Sequence, residues 1–213
     1  ALRQVSDAAL AACSDLKRLD LGGCRLDRFP EAVGALPQLE VLFASGLALE
    51  GVPPALASSQ SLRMVGVKDN SIVALDGSCL PAGLVWLIAA GNPIRELPSI
   101  SRLQHVRKLM LSHCQLTCRA LAPIAGIAGL EMLRVAANRL ESFPDELLQH
   151  KRLAWVAVGG NPFAEAAMEQ RLAAAPKVVE FAEVALGERL GSGAGATVYK
   201  AQWRGQRVAV KIW

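Results

Sequence analysis

Apolar residues recur along most of the chain in one frame, Leu-x-x-Leu-x-Leu, with apolar side chains at its first, fourth and sixth positions. The last positions alternate apolar and polar, which is typical of a short strand with one buried face. The frame begins at Leu16, Leu39, Leu62, Leu84, Val106, Leu130 and Leu153, at spacings of 23, 23, 22, 22, 24 and 23 residues. A regular repeat of this length predicts a solenoid, because a single coil cannot cover its own apolar side and must stack on its neighbours.

The ninth position of the frame is Asn or Cys in every coil except the second, where Leu47 departs from the pattern and predicts a looser turn. A small polar side chain there should turn inward and satisfy backbone groups where the chain leaves the strand. The position is occupied by Cys24, Leu47, Asn70, Asn92, Cys114, Asn138 and Asn161. An apolar residue followed by proline also recurs after the strands, at 29–30, 52–53, 97–98 and 143–144.

These features resemble the cytosolic type of leucine-rich repeat over about residues 16–163. The resemblance implies an α/β fold in which about seven coils form a horseshoe-shaped leucine-rich-repeat solenoid. We expect an amphipathic N-terminal capping helix over residues 1–15 and a second capping helix over 164–175. Residues 164–185 then form the C-terminal cap and a linker.

The third and fifth positions of the frame should point away from the core, onto the concave surface of the horseshoe. In coils two to seven they are mostly apolar, although polar residues are usual on a surface, and an apolar stripe of this kind indicates an interaction site. The candidate partner-binding residues are Val41, Phe43, Met64, Trp86, Ile88, Met110, Met132, Arg134 and Trp155. The occupant is either a protein partner or substrate, or a following domain of the same chain that folds back into the horseshoe.

Composition and charge narrow the classes of function. The hydrophobic content of 52% fits a globular chain, and the charge of +4 comes entirely from residues 186–213, which hold five basic residues and one acidic residue. A nucleic-acid-binding protein should instead carry a basic face along its main body. No run approaches about 18 apolar residues, so we expect no membrane span. Five unpatterned cysteines and the lack of an Asn-x-Ser/Thr site predict a reducing, cytoplasmic setting.

A metal site is not expected. The segment His113-Cys114-x-x-x-Cys118 holds potential zinc ligands. However, Cys114 occupies the inward ninth position, and His105 and His150 lie in other coils without the spacing of ligands.

The repeat stops after Pro176, and a glycine-rich segment begins at Leu186. It lacks the Gly-Lys-Ser/Thr ending of a Walker A loop, and a dinucleotide-binding fold would need its glycines to open a helix. The residues that follow, 197–203, are rich in β-branched and aromatic side chains and predict a strand. A tight turn at Arg204-Gly205 and a third strand over 207–213 complete the pattern.

Strand, glycine loop, strand, turn and a strand that contains Val208-Ala209-Val210-Lys211 resemble the opening of a protein kinase domain, in particular the tyrosine-kinase-like group of Ser/Thr kinases. The resemblance covers residues 186–213 and implies the first strands of a truncated N-lobe. It also implies ATP as cosubstrate, with Mg²⁺ held by residues outside this chain. The implied ATP-binding residues are Leu190, Gly191, Ser192, Gly193, Ala194, Gly195, Ala196, Val198, Ala209 and Lys211.

Within this resemblance the catalytic residue is Lys211, which would neutralise the α- and β-phosphates. Ala196 stands where the family has its third glycine, a small change. The sequence contains neither a His-Arg-Asp nor an Asp-Phe-Gly motif, so these 213 residues alone should not transfer phosphate. We therefore expect either the N-terminal part of a cytoplasmic Ser/Thr kinase whose repeats recruit or regulate, or a repeat scaffold with an inactive kinase remnant.

Overall fold

One three-residue strand forms in each predicted coil of the computed structural model, which describes residues 2–174, 180–193 and 196–212. Each strand begins two residues after the first apolar position of its frame. They are β1 (Arg18–Asp20), β2 (Val41–Phe43), β3 (Met64–Gly66), β4 (Trp86–Ile88), β5 (Lys108–Met110), β6 (Met132–Arg134) and β7 (Trp155–Ala157). They pair in parallel in chain order and form a seven-stranded sheet in the described part of the chain. The predicted solenoid is confirmed.

The core lies on one side of this sheet. The middle residue of each strand faces that side, where Leu42, Leu87 and Leu109 are fully buried, whereas Val156 in the last strand is 37% exposed. The first leucines of the frames are buried beside them, as at Leu39 and Leu62, so one apolar core continues from coil to coil. Each fully buried leucine contributes about 1.5–3 kcal/mol through removal of its apolar surface from water.

The return segments between strands are short and mostly 3₁₀-helical. Proline lies at or beside the start of several of them and fixes φ near the helical value. Its missing N–H costs nothing there, because the first N–H groups of a helix have no acceptor within the helix. The 3₁₀ segments of the repeats are Glu31–Ala35, Pro54–Ser58, Gly77–Cys79, Ile100–Arg102 and Ala122–Gly126, and the short α-helices are α2 (Cys118–Leu121) and α3 (Asp145–Leu148). Neighbouring coils approach closely here. A Cβ at Gly77 would clash with the Ser99 carbonyl of the next coil.

Asparagines at the ninth position join each coil to the one before it. The Asn92 Nδ2 donates to the Val67 carbonyl of the preceding coil and to the Ala89 carbonyl of its own strand end, both at 2.9 Å. Its Oδ1 accepts the Ile72 N–H at 3.1 Å. The same pattern of bonds is made by Asn70, Asn138 and Asn161. All four are buried, so these bonds satisfy backbone groups that water does not reach.

Three coils lack asparagine at this position, those of Cys24, Leu47 and Cys114, and the last two depart from it in different ways. The Cys114 Sγ lies 3.7 Å from the carbonyl oxygens of Ala89 and Ser112. The turn of this coil is therefore held by weaker hydrogen bonds than those that an asparagine makes. Leu47 packs against the core, and Asn70 of the next coil accepts its N–H at 2.8 Å. The turn at Leu47 is therefore held by its neighbour, and the looser turn that the sequence suggested does not form.

The N-terminal cap is shorter than the sequence suggested. The helix α1 covers only Asp7–Ala11, and the residues before it lie along the first coil, where the carbonyls of Leu2 and Arg3 accept backbone N–H groups. Those carbonyls are therefore not available to a longer helix. The Asp7 carboxylate fixes the cap because it accepts the Ala32 N–H at 3.0 Å and pairs with Arg28. The hydrogen bond from the Ala32 N–H has the largest effect on the pKa of the Asp7 carboxyl and lowers it, and the pairing with Arg28 lowers it further.

At the other end of the repeats, α4 covers Pro162–Ala174. It begins two residues before the predicted position, since the Asn161 carbonyl accepts the N–H groups of Ala164 and Glu165. Phe163 packs against the core of the repeats. The first compact unit is Ala1–Ala166 and the second is Ala167–Trp213.

The second unit contains an antiparallel meander. Its strands are β8 (Val184–Gly193), β9 (Ala196–Trp203) and β10 (Gln206–Ile212), in the order β10-β9-β8. Arg204 and Gly205 have φ values of 49° and 80°, the left-handed conformation of a two-residue hairpin turn. The Glu183 carboxylate accepts bonds from Trp203 Nε1 at 3.1 Å and Arg204 Nε at 3.0 Å, which ties this turn to the residue just before β8.

Replacement of Asn92 by Leu should lower the free energy of unfolding by about 3 kcal/mol, because it leaves buried carbonyl and amide groups unpaired. The substitution Cys114→Asn should act in the opposite direction and raise it by about 1 kcal/mol, since an amide can make the bonds that sulfur makes only weakly. Urea denaturation followed by circular dichroism measures both. Equal stability of Asn92→Leu and the wild type would contradict the structural role of the asparagines.

Candidate functional site

The outward side chains of β1–β7 form two parallel rows, and we call this surface the strand face. It is the surface expected to be concave. In the first row, Arg18, Val41, Met64, Trp86, Lys108, Met132 and Trp155 are paired in order across the sheet, and in the second row Asp20, Phe43, Gly66, Ile88, Met110, Arg134 and Ala157. The constant register brings together the nine residues that the sequence selected. Their role in binding stays a prediction.

Most of the apolar side chains on the strand face are half-buried, because residues of the next strands, about 4.8 Å away, flank them. Trp155 in the last strand is the most open, with 43% of its surface exposed. Between the two tryptophans, Met110 and Met132 provide flexible, polarisable surface that adapts to different shapes. The arrangement of aromatic and methionine side chains is typical of the centre of a protein interface.

Three cations on the strand face lie over aromatic rings of adjacent strands. The Lys108 Nζ is 4.6 Å from the centre of the Trp86 ring, and the Arg134 guanidinium carbon is 5.2 Å from that of Trp155. Arg18 lies over Phe43 in the same way, at 5.1 Å. Each such contact contributes about 0.5–1 kcal/mol at an exposed site and holds a long, flexible side chain in place.

Within the described ranges, these cations have no acidic partners. Among the described residues, neither Arg18, Lys108 nor Arg134 forms a salt bridge. Asp20, the one carboxylate in the two rows, accepts the Gly22 N–H of its own turn at 2.9 Å. The positive charges of the strand face therefore remain available to a group outside the sheet.

The indole Nε1–H of Trp86 is a donor without an acceptor. The atom is buried, and within the described part of the chain it makes no hydrogen bond. A buried donor left unpaired costs about 1–3 kcal/mol. The ring that carries this group is the one that Lys108 covers, at the middle of the first row.

Outside the two rows of the strand face, charged side chains of the repeats form ion pairs with one another. Glu131 pairs with Arg107 at 2.8 Å and with Arg152 at 3.0 Å. The hydrogen bond from Arg107 is the main cause of the lowered pKa of Glu131. The bond from Arg152 also lowers this pKa, whereas partial desolvation raises it. These cations thus have a partner inside the protein, in contrast to those of the strand face.

In the second unit, strand register places the predicted nucleotide-binding positions. Val198 pairs with Gly191 on one side and with Lys211 on the other, so the three positions lie in one row across the meander. Ala209 pairs with Lys200, two residues along on the same face. Leu190 lies at the irregularity between Arg189 and Gly191 and is 58% exposed.

The glycine-rich turn joins β8 and β9 after the pairs Ser192 with Thr197 and Gly193 with Ala196. Ala194 and Gly195, two of the predicted ATP-binding residues, lie outside the described residues. At Gly191 a Cβ would meet no described atom within 4 Å, so open space lies next to this position.

The cysteines differ in chemistry, although all five are free. Burial raises the pKa of the Cys114 thiol. At Cys118 partial burial acts in the same direction, but hydrogen bonds from the side chain and backbone of Ser142 outweigh it and lower the pKa. Nowhere in the described residues do three or more His, Cys, Asp or Glu side chains gather as metal ligands would.

The cation–aromatic pairs are the feature of the site that the sequence argument missed. Arg18 and Lys108 also occupy outward positions of the frame, but neither is among the residues that the sequence analysis selects for binding. The signal was present, because a cation and an aromatic residue occupy outward positions of consecutive repeats at each pair. Only the register showed which of them meet.

Two solved structures share this fold over about three quarters of the chain. The Toll–Spatzle complex of Drosophila aligns with a TM-score of 0.50 and 15% sequence identity, over 75% of this chain and 29% of that one. The plant peptide hormone receptor RGFR1, in complex with RGF2, aligns with a TM-score of 0.52 and 23% identity, over 74% of this chain and 30% of that one. The likeness shows a leucine-rich-repeat-like fold.

This chain thus spans less than a third of the length of each of these two chains. No protein-family model and no curated protein matches the sequence. Of the helices in the described ranges, none has both the length and the apolar character needed to cross a membrane.

Cys118 should react with iodoacetamide near pH 7.5 much faster than Cys114. A lowered pKa gives more thiolate at that pH, and the raised pKa and burial of Cys114 act in the opposite sense. Peptide mapping by mass spectrometry after timed alkylation of the folded protein measures both rates. The substitution Ser142→Ala should slow the reaction at Cys118. A Cys114 rate equal to that of Cys118 would show that these environments are assigned wrongly.

Proposed function

We propose that the strand face of the repeats binds a protein partner. The observation that carries this proposal is the pair of outward rows, in which aromatic and methionine side chains alternate with cations that have no acidic partner among the described residues. Tryptophan and arginine are enriched among the residues that dominate binding energy. Support also comes from the two similar structures, since one is a Toll–Spatzle complex and the other a receptor in complex with RGF2.

We further propose that the chain is the N-terminal part of a cytoplasmic Ser/Thr protein kinase, which transfers the γ-phosphate of ATP to protein hydroxyl groups. The support is the order of motifs over residues 186–213 together with the antiparallel meander and its register. The five free cysteines are consistent with a reducing compartment.

ATP would lie against the row formed by Gly191, Val198 and Lys211. Glycines allow backbone N–H groups to approach phosphates without side-chain clashes, and the open space at Gly191 fits this role. Val198 and Ala209 would contact the adenine together with Leu190, and Lys211 would neutralise the α- and β-phosphates. Mg²⁺ would bridge the phosphates in the longer protein, with ligands that are not in this sequence.

The two activities combine in one mechanism. Nine residues, 175–183, separate the end of α4 from the start of β8. A connection this short gives a protein bound to the repeats a high effective concentration at the kinase. The repeats would thus select the substrate or a regulator, and the kinase would supply the chemistry. The alternative is a scaffold, in which the strand face binds a partner and the meander has no catalytic role.

The substitution Lys211→Met should abolish phosphotransfer in the longer protein, by about a hundredfold or more, because it removes the charge that faces the phosphates. The measurement is transfer from γ-labelled ATP to a generic protein substrate. Lys151→Met is the control, since it removes an exposed lysine from the repeats, away from the proposed ATP-binding row, and should leave activity unchanged. If the intact, folded protein neither binds nor uses ATP, the scaffold takes the place of the kinase.

The double substitution Trp86→Ser and Trp155→Ser should abolish capture of protein partners while the thermal transition remains nearly unchanged. Both side chains lie on the strand face outside the core, so their loss removes interface surface. Crosslinking and copurification measure capture, and differential scanning calorimetry measures the transition. The control is Val73→Ser with Leu148→Ser, which removes two exposed apolar side chains outside the strands. Unfolding of the tryptophan variant would refute its surface placement.

A further inference from the structure

The charge of the strand face indicates what kind of protein it binds. Its rows contain Arg18, Lys108 and Arg134, and the only carboxylate, that of Asp20, is engaged by its own turn. From the second strand to the seventh, both charged residues in the rows are cations. A face of one sign, without internal ion pairs among the described residues, favours a partner that carries the opposite sign.

The strongest part of this face lies between the two tryptophans. Lys108 and Arg134 are on the adjacent strands β5 and β6 in diagonal positions, where side chains of neighbouring strands come within about 7–8 Å. Each cation lies over a tryptophan on its outer side, Trp86 or Trp155. The charged ends of the two side chains therefore lie on opposite sides of this region, and each provides a separate site for a carboxylate.

The stacked cations are suited to this role. A lysine over a ring keeps N–H donors for a second partner, and the guanidinium of arginine has five donors in its plane. The rings hold both side chains in place before binding, so less rotamer entropy is lost when an acceptor arrives.

We propose that the strand face binds an acidic segment of a separate protein, in which carboxylates alternate with apolar side chains. One carboxylate pairs with Lys108 and another with Arg134, and the apolar side chains next to them pack on the tryptophans and on Met110 and Met132. This proposal rests on the proposed recognition function and adds the chemistry of the partner.

Charge also distinguishes this occupant from the alternatives. Residues 186–213 carry five basic residues and one acidic residue, the same sign as the strand face, so this segment of the chain is a poor complement to it. A nucleic acid would satisfy the cations but would place phosphates against Ile88 and the methionines. Alternating carboxylate and apolar side chains match both components of the face.

A displayed library of random dodecapeptides, selected on the immobilised 213-residue chain, tests this proposal. The selected peptides should be enriched in Asp and Glu next to Leu, Ile, Phe or Met. A labelled selected peptide is then compared with its analogue in which Asn and Gln replace Asp and Glu, by fluorescence anisotropy. We expect the analogue to bind at least about tenfold more weakly.

Variants of the protein locate the site. The double substitution Lys108→Gln and Arg134→Gln should weaken binding of the acidic peptide by about tenfold or more. The matched control is Arg119→Gln with Arg139→Gln, two exposed arginines outside the strands, which should leave affinity unchanged. Circular dichroism confirms that each variant is folded. Equal affinity of the Lys108/Arg134 variant and the wild type would overturn the proposal.

The remaining outcomes separate this proposal from the function on which it rests. Selected peptides without carboxylates, whose binding is lost in the Trp86/Trp155 variant, would refute an acidic partner and leave protein recognition standing. If no selected peptide depends on these tryptophans, recognition by the strand face fails as well. A labelled single-stranded oligonucleotide that binds the face more tightly than the acidic peptide would assign the cations to phosphates and overturn the proposal.

Discussion

The repeats depend on one requirement, which is that the backbone groups at the end of every strand must be satisfied where water is excluded. Asparagine at the ninth position meets it with three bonds, and two of them reach the preceding coil. Each coil is thus fixed to its neighbour by the same bonds that satisfy its own turn. A strand cannot shift in register without breaking them, and this keeps the pairing of β1–β7 constant.

The binding face follows from that register. Because every strand presents its middle residue to the core, its other two side chains face outward, and a constant pairing aligns them as rows. Apolar residues in the rows cannot enter the core without turning the strand over, which would expose Leu87 or Leu109. The stripe is therefore surface that the fold itself leaves uncovered. The cations partly cover it by lying over the rings, and they remain unpaired with carboxylates in the described residues.

The second unit is an antiparallel sheet and is built differently from the repeats. Its strands are ordered by antiparallel pairing, a tight turn at Arg204-Gly205 joins β9 to β10, and Ala201 is the best buried of the described side chains. Independent stability of a small sheet requires a buried hydrophobic face or packing against a helix. In the described part of the meander several apolar side chains, among them Leu186 and Leu190, remain exposed. A kinase domain of which it formed the beginning would cover some of them.

Periodicity alone determined the coils, the strand positions and the outward residues, because a spacing of 22–24 residues with alternating burial allows one stacked arrangement. It also placed Asn92 and Cys114 inward. Three features were decided only by the tertiary structure. The cap is short because the carbonyls of Leu2 and Arg3 bond to the first coil. The turn at Leu47 is held by Asn70. The pairing of Lys108 with Trp86 and of Arg134 with Trp155 depends on side chains from different coils. A sequence pattern describes each coil by itself, whereas these contacts exist only after neighbouring coils have stacked.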